Sequence, residues 1–496
     1  MRASGILMPV ASLPTKYGIG GFSKEAYEFV DFLENAHQTY WQVLPMGPTG
    51  YGDSPYQSFS TFAGNPYFID LEELIKDGLL TKKECEKAAI GSNPEKVDYE
   101  NIYKTRFKLL KKAYLKSNIS NDKAFKSFVK ENAFWLDDYA LFMSLKGVYG
   151  GKSYLEWKDE DRLKKPKRMK ERLKEEKIAE EVQVWKYMQY LFYKQWGALR
   201  AYANSKGVKI IGDIPIYVAL DSADTWASPE LFQLDKNNLP VGVAGCPPDY
   251  FSATGQLWGN PLYRWDYHKE TGFKWWIKRL EFCFKLYDVV RIDHFRGFDE
   301  YYFIPYGDKT AEFGHWEKGP GYALFDAMKK ALGKQSIIAE DLGLLTPSVI
   351  KLVKKCGYPG MKILEFAFDS GEDNDYLPHN YDKNCIVYTG THDNDTTKGW
   401  FKSLKKKDQN YAKKYMGIKS NRDVVKGLVR LAHMSTADTC IIPMQDYLEL
   451  DSDARINIPS TLGGNWDWRM KADALTKELA VSIAELTDLY GRYEAK

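Results

Sequence analysis

Apolar positions along the chain gather into short runs of strand length, and the stretches between them carry helical periodicity. Eight runs stand out: SGILMPV (4–10), YWQVLPM (40–46), VKIIGDIPIYV (208–218), YDVVRID (287–293), QSIIAED (335–341), MKILEFAF (361–368), CIVYTGTHD (385–393) and TCIIPMQDYL (439–448). Amphipathic segments such as 23–36 and 320–332 lie between them. Strands alternating with helices predict a parallel sheet covered on its outside, and eight such units predict an α/β protein of the (β/α)8 TIM barrel class.

The spacing is uneven. Residues 47–207 separate the second run from the third, far more than one crossover helix requires. That interval predicts an inserted, mainly helical subdomain over 64–185, followed by a helix that returns the chain to the barrel. A second insertion, 219–268, is rich in glycine and proline and predicts an active-site loop subdomain between strands three and four. After the eighth run, residues 449–496 suffice for a closing helix but are too few for a C-terminal β-sandwich. The reading is one catalytic barrel over 1–496 carrying two insertions.

Charge narrows the function classes. The 70 basic and 67 acidic residues leave a formal net charge of +3, no footprint for nucleic acid or an anionic membrane. The basic stretch RLKKPKRMKERLKEEK (162–177) is interleaved with acids and reads as a solvated helical face. Six scattered cysteines show no metal-ligand spacing; Cys283, Cys385 and Cys440 sit in apolar runs and read as buried thiols. No window approaches the length of a membrane span, and the proline-interrupted N-terminus does not read as a signal peptide, so a cytoplasmic protein is expected. No cofactor and no metal are expected. Aromatics reach 15 %, with 34 Tyr and 14 Trp; most serve a large core, but such rings also suit stacking on sugars.

The chemistry lies where the strands end. Asp213, Asp293, Glu340, Asp341 and Asp393 each follow an apolar run, so different strands carry them to the C-terminal face, where barrel enzymes place their active sites. In VRID, alternation sends Arg291 and Asp293 inward and leaves Val290 and Ile292 facing the helices. An adjacent guanidinium holds Asp293 ionised, as a nucleophile requires. The apolar approach to Glu340 favours its protonated form and a general-acid role, while Asp341 alternates away and reads as structural. His392 and Asp393 are placed to meet sugar hydroxyls, and Asp395 reads as the N-cap of the following helix. Two carboxylates with separated roles are what glycosidic bond chemistry needs. HExxH, Walker and G-x-S-x-G motifs are absent.

DIPIYV (213–218), RIDHFRG (291–297), AEDLG (339–343) and THD (391–393) resemble the four conserved regions of the α-amylase clan. With SGILMPVASLPTKYGIG (4–20), GDSPYQSFSTFAGNPYFIDL (52–71), PPDYFSATGQLWGNPLY (247–263) and LGGNWDWR (462–469), the chain resembles the amylomaltases, the 4-α-glucanotransferases of glycoside hydrolase family 77, from about residue 4 to 470. The resemblance implies Asp293 as the nucleophile forming a covalent glycosyl-enzyme, Glu340 as general acid/base and Asp393 as the third carboxylate. It implies Arg291, Asp213, His294 and His392 as their supports, Tyr250 and Phe251 as an aromatic loop over the acceptor sites, and Trp258, Asn465, Ser54 and Tyr56 as substrate contacts. Thr15-Lys16 stand where the family more often has Gly-Pro, away from the catalytic set. The expected partners are maltooligosaccharides and α-1,4-glucans. An α-1,4-glucan hydrolase with the same carboxylates and a non-catalytic glucan-binding barrel are the alternatives.

Overall fold

The computed structural model describes residues 2–50, 52–89, 93–248, 252–343 and 345–494. All eight expected runs contribute a barrel strand, each shorter than the apolar run that announced it: β1 Ala3–Leu7, β2 Tyr40–Gln42, β3 Lys209–Pro215, β4 Val289–Asp293, β5 Ile337–Ala339, β6 Gly360–Ile363, β7 Cys385–Tyr388 and β8 Thr439–Pro443. They pair in parallel in the order β6-β7-β8-β1-β2-β3-β4-β5, so chain neighbours are sheet neighbours throughout. The two end strands meet where the Ala339 N–H donates to the Pro359 carbonyl at 3.0 Å and the Met361 N–H donates to Asp341 Oδ1 at 2.7 Å. The sheet thereby curls into a (β/α)8 barrel.

Strands buried on both faces read as continuous apolar runs rather than alternating ones. Ile211, Ile338, Met361, Ile386 and Ile441 fill the barrel interior as one cluster. Their neighbours Ile210, Ile337, Val290 and Ile292 turn outward and pack with Trp276, Leu280 and Phe325 of the surrounding helices. The inward–outward division expected for VRID is therefore the one observed.

Between β2 and β3 the chain forms helices including Tyr99–Lys116, Ala133–Val148 and the 30-residue Glu176–Ser205, about 45 Å long, which leads into β3. Between β3 and β4, Gly/Pro-rich loops were expected. The structure instead places strands at Gly242–Cys246 and Gln256–Pro261, which join Glu300–Pro305 and His315–Lys318 in a four-stranded antiparallel sheet. Glycines inside GVAGC and QLWGNP weaken the local strand signal; GVAGC is stabilised by pairing with Glu300–Pro305, far along the chain, and QLWGNP by pairing with GVAGC. After β8 no further strand occurs among the described residues. Helix Lys477–Leu489 returns against helix Lys24–Asn35, and Gln38 Nε2 donates to Thr487 Oγ1 at 2.9 Å. No helix among the described residues is long and apolar enough to cross a membrane.

Candidate active site

Register brings the first pair together. Asp213 on β3 lies opposite Arg291 on β4, and both are almost fully buried. Arg291 Nη1 donates to Asp213 Oδ1 and Oδ2 at 2.7 and 2.6 Å, and Nη2 donates to Asp293 Oδ1 at 3.0 Å. The arginine is thus a counter-ion shared by two carboxylates, with Asp213 holding the closer end. The guanidinium expected beside Asp293 is present, and it serves Asp213 as well. Burial pushes the Asp293 carboxyl above its ordinary range, Arg291 pulls it back, and the nearby charges of Glu340, Asp213 and Asp393 push it further up. Burial likewise raises Glu340, against Arg291 and the backbone N–H donors of Leu342 and His294. Carboxyls this close titrate as one system. The Arg291 contact draws charge toward Asp293, while the two backbone N–H donors draw it toward Glu340.

Backbone geometry fixes the acid. Immediately after β4, His294 adopts a left-handed conformation (φ 52°, ψ 49°), uncommon for a residue with a side chain. That turn aims its N–H at Glu340 Oε2 at 2.6 Å, while the Leu342 N–H donates to Oε1 at 2.9 Å. Two N–H groups therefore orient the carboxyl of Glu340. The His294 ring is half-buried, held neutral with its pKa lowered to about 3 by burial and by Arg296, and Trp258 meets it edge-on at 4.8 Å. Asp341 turns away and accepts from Met361, as its alternation implied.

β7 supplies the third acid. Asp393 is half-exposed; its Oδ1 accepts from Asn457 Nδ2 at 2.6 Å, and its carbonyl accepts from Arg455 Nη2 at 2.7 Å. His392 Nε2 lies 3.4 Å from Asp393 Oδ2; the ring is neutral because burial lowers its pKa. Tyr56 stacks on His392 (5.1 Å, 18°) and donates its hydroxyl to Asp213 Oδ2 at 2.6 Å, while Trp466 leans on both rings. Ser54 Oγ accepts from the Tyr56 N–H at 3.3 Å and so shapes the turn that presents Tyr56. Asn465 donates to Thr461 and accepts from the Ile458 N–H, so its amide ties together the loop that holds Asn457. Tyr250 and Phe251 lie outside the described residues. The N-cap of helix Thr397–Ser403 is Thr396, not Asp395: the Thr396 side chain accepts from Gly399, and Asp395 instead accepts from the Thr396 N–H and Ser452 Oγ.

Asn457, Arg455 and Trp466 were not anticipated from sequence. They sit in a loop after β8, more than 60 positions from Asp393; of the three, Trp466 alone falls within the LGGNWDWR motif.

A family model described as 4-alpha-glucanotransferase matches residues 8–476. The 4-alpha-glucanotransferase of Clostridium butyricum is 50 % identical over 489 residues, covering 98 % of this chain and 100 % of that one. The 4-alpha-glucanotransferase of Streptococcus pneumoniae serotype 4 is 48 % identical over 493 residues, covering 99 % and 97 %. The structure of the amylomaltase from Streptococcus agalactiae in complex with acarbose superposes with a TM-score of 0.96 at 43 % identity, covering 100 % of both chains. A barrel fold with convergent carboxylates at its strand ends, matched along nearly its whole length, places this chain in glycoside hydrolase family 77, as an enzyme of the 4-α-glucanotransferase type.

Proposed function

We propose that the enzyme transfers segments of α-1,4-glucan between maltooligosaccharides by a retaining double displacement through a covalent glycosyl-enzyme at Asp293. The observation that carries this reading is the convergence of Asp293, Glu340 and Asp393 from three strands around one arginine that contacts only the first of them by hydrogen bond. In the first step the Glu340 proton passes to the glycosidic oxygen as the bond from that oxygen to the anomeric carbon breaks. An Asp293 oxygen forms the new bond to that carbon from the opposite face. The released fragment leaves with a free 4-hydroxyl. In the second step an acceptor 4-hydroxyl gives its proton to Glu340, and its oxygen replaces Asp293 at the anomeric carbon, restoring both side chains.

Asp393 and neutral His392 hold ring hydroxyls as the sugar flattens toward the oxocarbenium-like transition state. Asp213 anchors Arg291, which stabilises the leaving carboxylate of the second step. His294, Tyr56 and Trp258 line the sugar, and Ser54 and Asn465 shape the loops beside it. Transfer prevails over hydrolysis because a bound acceptor hydroxyl is positioned where water is not.

Incubation with maltotriose tests the reading. Glucose plus a ladder of longer maltooligosaccharides, with little rise in total reducing ends, is expected. A stoichiometric rise in reducing ends without longer products would instead establish the hydrolase.

A further inference from the structure

β6 ends at Ile363, and the turn Leu364–Phe366 buries Glu365 beneath the loop that follows β7. Glu365 is 7 % exposed, and its N–H donates to the Thr389 carbonyl at 3.1 Å. Its Oε1 presses so close to Gly390 that a Cβ there would lie 2.9 Å away. Asn394 reaches the same point: its Cβ would lie 3.0 Å from that added Cβ, so Glu365 and Asn394 are packed side by side over Gly390. Asn394 Oδ1 in turn accepts from both the N–H and the hydroxyl of Thr391 at 2.9 Å, and Thr391 Oγ1 accepts from the Asp393 N–H at 3.3 Å. A continuous chain of contacts runs from Glu365 to Asp393.

The charges around Glu365 are already matched without it. Asp446, beyond β8, accepts from the Thr389 hydroxyl at 2.6 Å and from the Thr397 N–H and hydroxyl at 2.9 and 2.8 Å. Asp395, beyond β7, accepts from the Thr396 N–H and the Ser452 hydroxyl, both at 2.7 Å. Arg455 donates to the carbonyls of Asn457 and Asp393 at 2.8 and 2.7 Å. Glu365 Oε1 is buried with no hydrogen-bond partner. A third negative charge here would leave Oε1 with no donor where its neighbours have two or three, a costly arrangement in a dry site.

We propose that Glu365 is a positioning residue that works as its neutral carboxylic acid, bracing through Asn394 and Thr391 the loop that presents His392 and Asp393. Burial, followed by the charges of Asp446 and Asp395, drives its ionisation far above the ordinary range, against Asn394 and Arg455. The positioning half rests on the role given above to Asp393; the protonation half does not.

The sign of the pH effect follows. Above its ordinary value of 4.5, folded Glu365 keeps a proton that the unfolded chain releases, so wild-type stability falls as pH rises toward the folded value. Glu365→Gln keeps the shape without that proton. Its melting temperature is expected to gain on wild type steadily between about pH 5 and 8. The infrared spectrum of wild type minus E365Q at neutral pH is expected to show a protonated-carboxyl stretching band. A constant or shrinking difference in melting temperature, or a carboxylate band, would overturn the protonation. Turnover of maltotriose by E365Q should stay within about twofold of wild type, whereas Glu365→Leu should lower kcat about tenfold with KM little changed. Loss of activity in E365Q, or full activity in E365L, would overturn the positioning. If E365L does not fold, the E365Q kinetics decide. An active Asp393→Asn variant would sink the reading of Asp393 while leaving the infrared and melting results to stand for Glu365.

Discussion

Asp161 in the inserted helices and Asp293 at the mouth of the barrel each face an arginine, yet the two clusters are built differently. Asp161 is fully buried; Arg172 reaches both its oxygens, Arg168 adds a contact at 3.1 Å, and the Tyr149 hydroxyl donates at 2.6 Å. Burial alone would raise its pKa, but the hydrogen bonds of Arg172 and Tyr149 hold it below the ordinary range. Asp293 has one guanidinium contact, shared with Asp213, and its side chain keeps 29 % of its exposure toward the cleft. Its pKa is raised where that of Asp161 is lowered. A carboxylate whose every lone pair is answered is scaffold. One left partly unanswered, with its cation shared, is what the proposed nucleophile requires.

Substitutions can break or sharpen this contrast. Asp293→Asn is expected to lower kcat on maltotriose about 10⁴-fold while maltodextrin binding, followed by calorimetry, persists. Asp161→Asn should cost about 3 kcal/mol in urea unfolding, because it leaves Arg172 buried beside a neutral group, and should leave kcat of the folded enzyme unchanged. Equal effects of the two on turnover would erase the distinction. Arg291→Lys replaces a planar fork by a point charge that cannot serve Asp213 and Asp293 together. A loss of about 10²-fold in kcat is expected, larger than the change in KM. The smallest effect has the most telling sign. Asp293 has a raised folded pKa, so its ionisation costs stability above the unfolded value, and Asp293→Asn should melt higher than wild type at neutral pH. Asp161 has a lowered folded pKa; its stabilisation is present above the unfolded value and is lost only as pH falls through the folded one, so Asp161→Asn should melt lower at neutral pH.

The same contrast explains what could be read from the chain beforehand. Barrel strands such as TCIIP and CIVY are apolar on both faces, a signal needing no tertiary information, and all eight were legible. Their ends were less so. MKILEFAF reads as one apolar run, yet the strand stops at Ile363 and a tight turn buries Glu365, a result of packing under Gly390 rather than of local propensity. That Asp293, Glu340 and Asp393 share one end of the barrel was legible because each follows an apolar run, although only Asp293 lies within its strand; Glu340 comes directly after β5 and Asp393 in the loop after β7. The division of Arg291 between two acids was not, since Asp213 lies 78 positions away and only register brings it opposite. Asn457 was invisible for the same reason: its loop is ordered by Asn465 and carries no periodic pattern.

Barrel closure carries a consequence for motion. Seven of the eight strand junctions are ladders, while β5 and β6 are joined by the Ala339 bond to Pro359 and by the Asp341 side chain. Such a junction works as a seam: when the barrel breathes, separation starts there, at the strand that carries Glu340, and amide exchange at Ala339 and Met361 should report it before the ladders do.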